Sequence, residues 1–482
     1  MPPYPPEAMR HLAAPSASGP LRDAHATGHA GSEDCGDVVR IDLCVSAGRV
    51  EDAGLLVFGC GAATAAASAA CERLRGLDLD DAARVGPDEI DRALGGLGPA
   101  RRHGPELVAD AVAGALEAWY SARLGGEGRV RSRKRVAVAM SGGVDSAVAA
   151  MLVRDAGYEP VGVTMRLWHD PAAAAAERSC CAPETVRLAR ASAHALGIPH
   201  VTLDVAERFR EGVVTDFIAG YQAGTTPNPC VTCNGSVRFA ILEEAAGLLG
   251  AEGLATGHYA RVEERAGVRS IAAARDASKD QSYMLSMLPS GVLERVMFPL
   301  GELTKADTRE LAREAGLPAA EAVESQEICF VGEDGYRAFL ERNSDLEARP
   351  GPILDPDGRE VGRHDGYWRY TVGQRRGLGV ASSEPLYVLR TDAARNEVWV
   401  GAREMLAVDR LHLEPAIVRG EIHDGPLEVR VRYRGRPLRG LAALRSGDAL
   451  EVDLLEPALG VAPGQTAALY RDGRLVAAGT IS

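Results

Sequence analysis

The 482 residues are 46% hydrophobic and 25% charged, the balance of a soluble globular protein with about three or four domains. The chain has no run of about 18 apolar residues, the length that crosses a bilayer, which excludes a transmembrane helix. A net charge of −13 excludes nonspecific binding of nucleic acid through bulk charge and leaves only a local basic patch for that purpose.

Residues 1–30, rich in Ala, Pro and His and lacking a basic-then-apolar signal pattern, read as a disordered tail on a cytoplasmic protein. Residues 31–123 read as an α+β domain. It opens on two strand-like runs, VVRIDLCVS and RVEDAGLLVFG, then turns through glycines into an Ala-rich helix over 62–74. It closes on the amphipathic helix ELVADAVAGALEAWYSARL. Residues 124–133 are Gly-rich and basic and read as a linker.

Residues 134–343 alternate strand and helix. RVAVAM is a buried-type strand, followed by a Gly turn and the helix SAVAAMLVRDAG, whose Gly157 suits a C-cap. PVGVTMRLW is the next strand, Pro183 suits the first turn of the helix after it, and HVTLDV is a third strand. This βαβαβ rhythm predicts a parallel sheet covered on both faces, with ligands at the carboxyl ends of its strands. Residues 344–402 are Gly- and Arg-rich with short strands. Residues 403–482, with runs such as LEVRVRYR, DALEVDLL and TAALYRDGRLVAAG, predict a small antiparallel barrel or sandwich.

The most informative motif is Ser141-Gly142-Gly143-Val144-Asp145-Ser146, set between a strand and a helix. Two glycines let backbone N–H groups approach a phosphate, and the helix N-terminus favours negative charge. Ser141 and Ser146 add hydroxyl donors, and Asp145 suits Mg²⁺. The motif resembles the PP-loop of the ATP pyrophosphatases, which implies cleavage of ATP to AMP and pyrophosphate but leaves the acceptor open.

The nine cysteines are Cys35, Cys44, Cys60, Cys71, Cys180, Cys181, Cys230, Cys233 and Cys329. An odd count without a signal peptide points to thiol or metal chemistry rather than a disulfide framework. TPNPCVTCN places Cys230 and Cys233 in a loop stiffened by two prolines, and Cys329 follows within SQEICFVG. By itself the CxxC reads equally as a structural metal site. The adjacent pair Cys180-Cys181 reads as loop cysteines outside the chemistry.

SGGVDS, TPNPCVTCN, ATGHYARV, KDQSYML, ESQEICFVG and YTVGQRRGLG occur in this order, and together they resemble the tRNA-specific 2-thiouridylases from Lys134 to the C-terminus. The resemblance implies an α/β fold of the adenine nucleotide α-hydrolase-like type, followed by a small central domain and a C-terminal β-barrel. It implies ATP-dependent thiolation of a wobble uridine, with tRNA and a cysteine desulfurase or other sulfur donor as partners. It further implies Cys233 as nucleophile and Cys329 as persulfide carrier, with Asp145 in the reaction. Ala139, Met140, Ser141, Gly142, Gly143, Val144, Asp145, Ser146, Met165 and Gly257 match the ATP contacts. Asn228, Pro229 and Cys230 match the loop at the target base. His258, Lys279, Asp280, Gln281, Arg432, Tyr433 and Gln465 match the tRNA contacts. Many members carry Asp where this chain has Cys230. Two sulfur routes therefore stay open: a persulfide route through Cys233 and Cys329, or a 4Fe–4S cluster on Cys230, Cys233 and Cys329 that binds sulfide.

In VRVRYRGR the side chains of Arg430, Arg432, Arg434 and Arg436 fall on alternate positions, which on a strand gives one cationic face for RNA phosphates. Gln374-Arg375-Arg376 is a second candidate. In the first domain, Cys35, Asp37, Cys60 and His103 resemble the ligands of IscU/NifU-type iron–sulfur scaffolds, which implies a bound cluster or zinc. The scaffolds have a cysteine directly after the histidine, where this chain has Gly104. Another PP-loop tRNA thiolase, or an iron–sulfur or sulfur carrier with an accessory ATP site, is the alternative that these residues leave.

Overall fold

The computed structural model describes residues 4–17, 19–32, 35–172, 182–322, 328–445 and 447–482. Cys180 and Cys181 lie outside the described residues, as does most of the run preceding Cys329. Among the described residues no helix is long and apolar enough to cross a membrane.

The N-terminal lobe runs α1 (Pro6–Ala13), β1 (Ala26–Gly31), β2 (Val38–Ser46), β3 (Arg49–Phe58), α2 (Gly61–Leu74), α3 (Leu79–Ala82), α4 (Pro87–Ala93) and α5 (His103–Ser121). The three strands form an antiparallel sheet in the order β1-β2-β3. The expected disordered tail over 1–30 is corrected here. Pro6 starts α1 as a first-turn proline, and Ala8 and His11 are buried. β1 pairs residue for residue with β2, from Ala26↔Leu43 to Gly31↔Val38. The small residues of β1 serve close packing. A Cβ on Gly28 would lie 2.0 Å from the Ala111 carbonyl oxygen, so only glycine lets β1 cross α5 at that height.

The linker expected over 124–133 is tethered. Arg129 N–H donates to the Gly247 carbonyl at 3.0 Å, and its guanidinium reaches Asp80 at 3.1 Å.

The catalytic-type domain follows with β4 (Ser132–Ala139), α6 (Val144–Asp155), β5 (Glu159–Arg166), α7 (Pro183–Ala195), β6 (His200–Asp204), α8 (Ala206–Phe209), α9 (Thr215–Gln222), α10 (Pro229–Thr232), α11 (Phe239–Leu249), β7 (Ala251–Thr256), β8 (Arg261–Arg265), β9 (Val268–Ala272), α12 (Ser290–Leu293), β10 (Val296–Met297), α13 (Lys305–Glu314) and α14 (Gly335–Asn343). The sheet order is β10-β7-β4-β5-β6, all parallel. Alternation along β4 divides the core. Val136 and Val138 join the cluster of α6 and α7, while Ala137 joins the cluster that holds Val161, Leu203 and Ile241. That second cluster also contains Leu116 and Tyr120 of α5, so the N-terminal lobe covers the β6 edge of the sheet. The strand order reverses at β4, where the chain builds outward through β5 and β6 and returns through β7 on the other side. A ligand crevice is expected at the carboxyl ends of β4 and β7.

The central domain is a four-stranded sheet, β12-β11-β14-β13, from β11 (Gly351–Leu354), β12 (Glu360–His364), β13 (Tyr387–Asp392) and β14 (Glu397–Gly401). The last domain comprises β15 (Ala407–Val418), β16 (Leu427–Arg430), β17 (Leu438–Leu444), β18 (Leu450–Leu459), β19 (Thr466–Arg471) and β20 (Arg474–Ile481). The pairing of β15 with β20 closes it into a barrel, which removes the free edges. Its sheet continues into the β8–β9 hairpin through Arg474↔Ala272.

The expected cationic strand is also corrected. β16 ends at Arg430, and Arg434 adopts a left-handed φ of 56°, so the four arginines share no strand face. Arg430 pairs with Asp280 at 2.8 Å and Glu428 at 2.7 Å, and Arg436 pairs with Glu456 at 3.1 Å. Acids thus pair with Arg430 and Arg436, while Arg432 and Arg434 bond the Gly460 and Ser278 carbonyls.

Candidate active site

The loop after β4 has its shape fixed by local sterics. Gly142 has a φ of +78°, and a Cβ there would lie 2.4 Å from the Thr185 carbonyl oxygen at the start of α7. The Ser146 hydroxyl accepts from Ser141 N–H at 3.1 Å and donates to the Gly143 carbonyl at 2.9 Å, which ties the loop to the first turn of α6. Met140 and Val144 are buried beneath it, so their backbone groups are what they offer a nucleotide. Ala139 ends β4, and Met165 lies half-buried near the end of β5. Gly257 follows β7, where a Cβ would lie 2.8 Å from both the Asp145 carbonyl carbon and the Ser146 nitrogen. The strand end thus closes directly on the loop.

Asp145 stands in the first turn of α6. Both of its oxygens take Lys305 Nζ, at 2.7 and 2.8 Å, and Oδ1 also accepts from the Tyr259 hydroxyl at 2.9 Å. That hydroxyl lies 2.9 Å from Thr308 Oγ1. Lys305, Tyr259 and Thr308 are absent from the sequence-based set. The T-K-A-D run held a signal for the first of them: Thr304 and Asp307 form a capping box, which marks Lys305 as the first residue of a helix.

His258 connects the nucleotide loop to the cysteines. Its Nδ1 is 2.8 Å from the Thr256 hydroxyl, and its ring lies 6.2 Å from that of Phe239. Burial, together with nearby Arg238, pushes its pKa down to about 3, so the ring is neutral. Arg238 ends a single π-helical turn, Cys233–Arg238, that continues from α10. Such turns are frequent at functional sites. Cys230 and Cys233 therefore lie three residues apart on one helical run and share a face. Burial, and then Cys233, push the Cys230 thiol up. Cys233 is 5% exposed, and Cys329 lies in a turn packed against the same apolar cluster. Among the described residues these three sulfurs do not all lie within 4.8 Å of one another, the spacing that suits a single ion. A four-iron cube spreads its thiolates wider.

The C-terminal barrel holds the cysteine loop. Gln465 Nε2 donates to the Thr226 carbonyl at 2.7 Å, and Thr226 N–H donates to the Pro463 carbonyl at 2.8 Å. Asn228 caps α10 by accepting from Val231 N–H at 3.3 Å, Pro229 is buried in its first turn, and Cys230 follows.

Several residues expected to face tRNA direct their polar atoms inward. Asp280 accepts from Ala274 N–H, Ser282 and Arg430, and Gln281 exchanges hydrogen bonds with the Tyr259 backbone. Arg432 bonds the Gly460 carbonyl, and the Tyr433 ring lies 6.4 Å from that of Tyr283. Lys279 is half-buried. Arg375 and Arg376 are exposed.

A second cluster lies in the N-terminal lobe. One ligand atom each of Cys35, Asp37 and His103 lies within 4.8 Å of the others, and Cys60 Sγ is 3.2 Å from His103 Nε2. Cys60 N–H donates to Asp37 Oδ1 at 2.9 Å, while the buried Asp37 Oδ2 has no hydrogen-bond partner and faces His103 Nε2 at 3.6 Å. Burial pushes Asp37 up, but the Cys60 hydrogen bonds outweigh it and hold the carboxyl below its usual value. An orphaned carboxylate oxygen beside two thiols and an imidazole is a donor set for a soft cation. Gly104 sits where α5 meets α2: a Cβ there would lie 2.8 Å from the Ala62 carbonyl carbon and 3.0 Å from Ala63 N. This backbone has no room for a fifth ligand at that position.

Four family matches cover the chain in order. Residues 3–124 match the NifU-like N terminal domain, 134–333 the tRNA methyl transferase HUP domain, 337–402 the tRNA methyl transferase PRC-barrel domain, and 413–481 the aminomethyltransferase beta-barrel domain. A bifunctional protein NifU/MnmA of Rubrobacter xylanophilus is 43% identical over 489 residues, covering 99% of this chain and 98% of its own. A tRNA-specific 2-thiouridylase MnmA of Methylobacterium radiotolerans is 45% identical over 359 residues, 72% of this chain and 93% of its own. A solved NifU-like N-terminal protein from Brucella abortus is 19% identical with a TM-score of 0.21, over 24% of this chain and 92% of that one.

Proposed function

We infer the reaction from kinship: the chain belongs to the bifunctional NifU/MnmA family, and it is a tRNA sulfurtransferase that thiolates uridine at the 2-position with ATP. The observation that carries the residue-level reading is a run of neighbouring groups from the nucleotide loop to the cysteine turn. Gly257 closes on the nucleotide loop, His258 follows it, and the turn that begins at Cys233 ends at the Arg238 that acts on His258.

ATP lies along Ser141–Gly143 with its phosphates on the N-terminus of α6, and Asp145 serves the accompanying Mg²⁺. The 2-oxygen of a wobble uridine, turned out of the anticodon stack, attacks the α-phosphorus, and pyrophosphate leaves. On the persulfide route the outer sulfur carried on Cys329 then attacks carbon 2 and AMP leaves with the original oxygen; the Cys233 thiolate attacks the Cys329 sulfur, so that the S–S bond of the persulfide breaks, a Cys233–Cys329 disulfide forms and the outer sulfur stays on the base.

Sulfur reaches the site through Cys233 and Cys329, supplied by a cysteine desulfurase or another donor. Cys230, Cys233 and Cys329 would hold a 4Fe–4S cluster as a three-thiolate set, since a metal would offset the burial that raises the Cys230 thiol. In that arrangement the cluster supplies a site for sulfide. Cys35, Asp37, Cys60 and His103 would hold zinc or an iron–sulfur unit in the N-terminal lobe, and an iron–sulfur unit there would be a source of sulfur and iron on the same chain.

The test is thiolation of unmodified tRNA, read as 2-thiouridine by mass spectrometry, with the chain purified without oxygen. Cys233→Ser abolishes the product, and Cys60→Ser keeps the activity with free sulfide while lowering it with a desulfurase. A Cys230→Ala variant that loses both an absorbance near 400 nm and activity establishes the cluster route. One that is colourless in both forms and equally active returns the chemistry to the persulfide. Full product from Cys233→Ser rejects the residue assignment.

A further inference from the structure

We propose that Lys305 is a phosphate-binding residue of the ATP reaction, handing its ammonium group from Asp145 to the polyphosphate as Asp145 takes up Mg²⁺. This rests on the reading of Ser141–Ser146 as the ATP loop.

The geometry points to an exchange rather than a fixed structural ion pair. Lys305 Nζ binds both oxygens of Asp145, at 2.7 and 2.8 Å, which are the atoms a cation at that carboxylate would use. Lys305 is the first residue of α13, and its own N–H donates to Asp276 Oδ2 at 3.1 Å. Asp145 is the second residue of α6. Two helix N-termini and one ammonium therefore converge on a single carboxylate beside the phosphate loop. Both helix dipoles and the ammonium favour additional negative charge there. The lysine side chain is 12% exposed and the aspartate 32%, so the pair is shielded from bulk solvent, with the carboxylate the more accessible of the two.

The partners needed for such an exchange are in place. Tyr259 holds Asp145 from a second direction and is itself fixed by the two hydrogen bonds between its backbone and Gln281. The carboxylate thus keeps its orientation when the ammonium moves away. A lysine stem is flexible and its head is a compact charge with three donors, which suits a short transfer between neighbouring anions. As the uracil oxygen bonds to the α-phosphorus, the bond from that phosphorus to the bridging oxygen breaks. Its electron pair stays on pyrophosphate, and the base sheds its N3 proton to solvent. The charge that grows on the leaving group is the charge that Lys305 offsets.

The experiment uses the full chain with unmodified tRNA, as wild type, Lys305→Ala and Lys305→Arg. Three quantities are read: the rate of pyrophosphate release, the KM for ATP, and Mn²⁺ affinity without nucleotide by electron paramagnetic resonance. Lys305→Ala slows pyrophosphate release about 100-fold, as loss of one charge-stabilising donor does, and Lys305→Arg recovers part of the rate. Lys305→Ala also binds Mn²⁺ about tenfold more tightly, because Asp145 has lost its internal cation. Opposite signs on these two readings separate an exchanging lysine from a structural one, whose loss weakens both. If Lys305→Ala does not fold, Lys305→Gln keeps the stem without the charge and gives the same readings. A wild-type rate in the charge-free variant, or weaker Mn²⁺ binding alongside a lower rate, overturns the proposal. A wild-type chain that releases no pyrophosphate overturns instead the ATP reading on which it rests.

Discussion

Two histidines near the nucleotide loop illustrate how single residues set the conditions of activity. His200 is buried with its Nε2 2.8 Å from Thr164 Oγ1, and that hydroxyl donates to the Met140 carbonyl, also at 2.8 Å. The hydroxyl oxygen is then left to accept, so His200 carries its proton on Nε2. Burial holds the pKa of His200 well below its usual value and pushes that of His258 down to about 3. Between pH 6.5 and 3 the unfolded chain binds a proton at position 258 that the folded chain refuses. Stability is therefore complete above pH 6.5 and falls as pH drops, by about 1.4 kcal/mol per pH unit for each such group. Urea midpoints from pH 7.5 to pH 5 will decline, and His200→Gln will flatten the decline; an equal slope in the variant would contradict the assignment. At this scale the glycines of SGGVDS were legible from sequence, because a positive φ and a close backbone approach are local demands. Lys305 was not, because its partner Asp145 is 160 residues away. The arginines of VRVRYRGR were misread for the same reason: Asp280 and Glu456, which pair with Arg430 and Arg436, come from other segments.

Helix α5 links the two halves of the chain. It carries His103 at its first residue, Asp110 two turns on, and Glu117 and Ser121 near its end. Asp110 binds both Arg187, at 2.8 Å, and Arg190 of α7. Glu117 reaches Arg166 at 2.7 Å, and Ser121 accepts from Asp204 N–H at 2.9 Å. The first turn of α7 is also where Thr185 closes on Gly142. Asp110→Ala leaves half-buried Arg190 without its partner. It should lower stability by roughly 2 kcal/mol and raise the KM for ATP, with the kcat of bound substrate little changed. Calorimetry and steady-state kinetics read the two effects, and an unchanged KM would show that α7 holds the loop without help from the lobe. The order of strands and helices was legible from hydrophobic periodicity, but this contact was not. Asp110 appears in sequence as one acid on the polar face of an amphipathic helix, and β1 appears as part of a disordered stretch until β2 is there to pair with it.

Across the whole molecule, bodies remote in sequence each hold one part of the site. The N-terminal lobe fixes α7 behind the nucleotide loop, and the barrel fixes the cysteine loop through Pro463 and Gln465. The fused lobe is therefore part of the support of the catalytic domain, and truncation before β4 would strip the cover from β6 as well as remove Cys35, Asp37, Cys60 and His103. The measurement that bears most directly on the reaction is a rapid-quench time course with radiolabelled ATP and unmodified tRNA, in which nucleotide products and 2-thiouridine are counted in the same samples. One AMP and one pyrophosphate for each 2-thiouridine, with neither product formed when tRNA is left out, is the result expected. ADP and inorganic phosphate in place of AMP and pyrophosphate, or 2-thiouridine formed without ATP, would contradict the account.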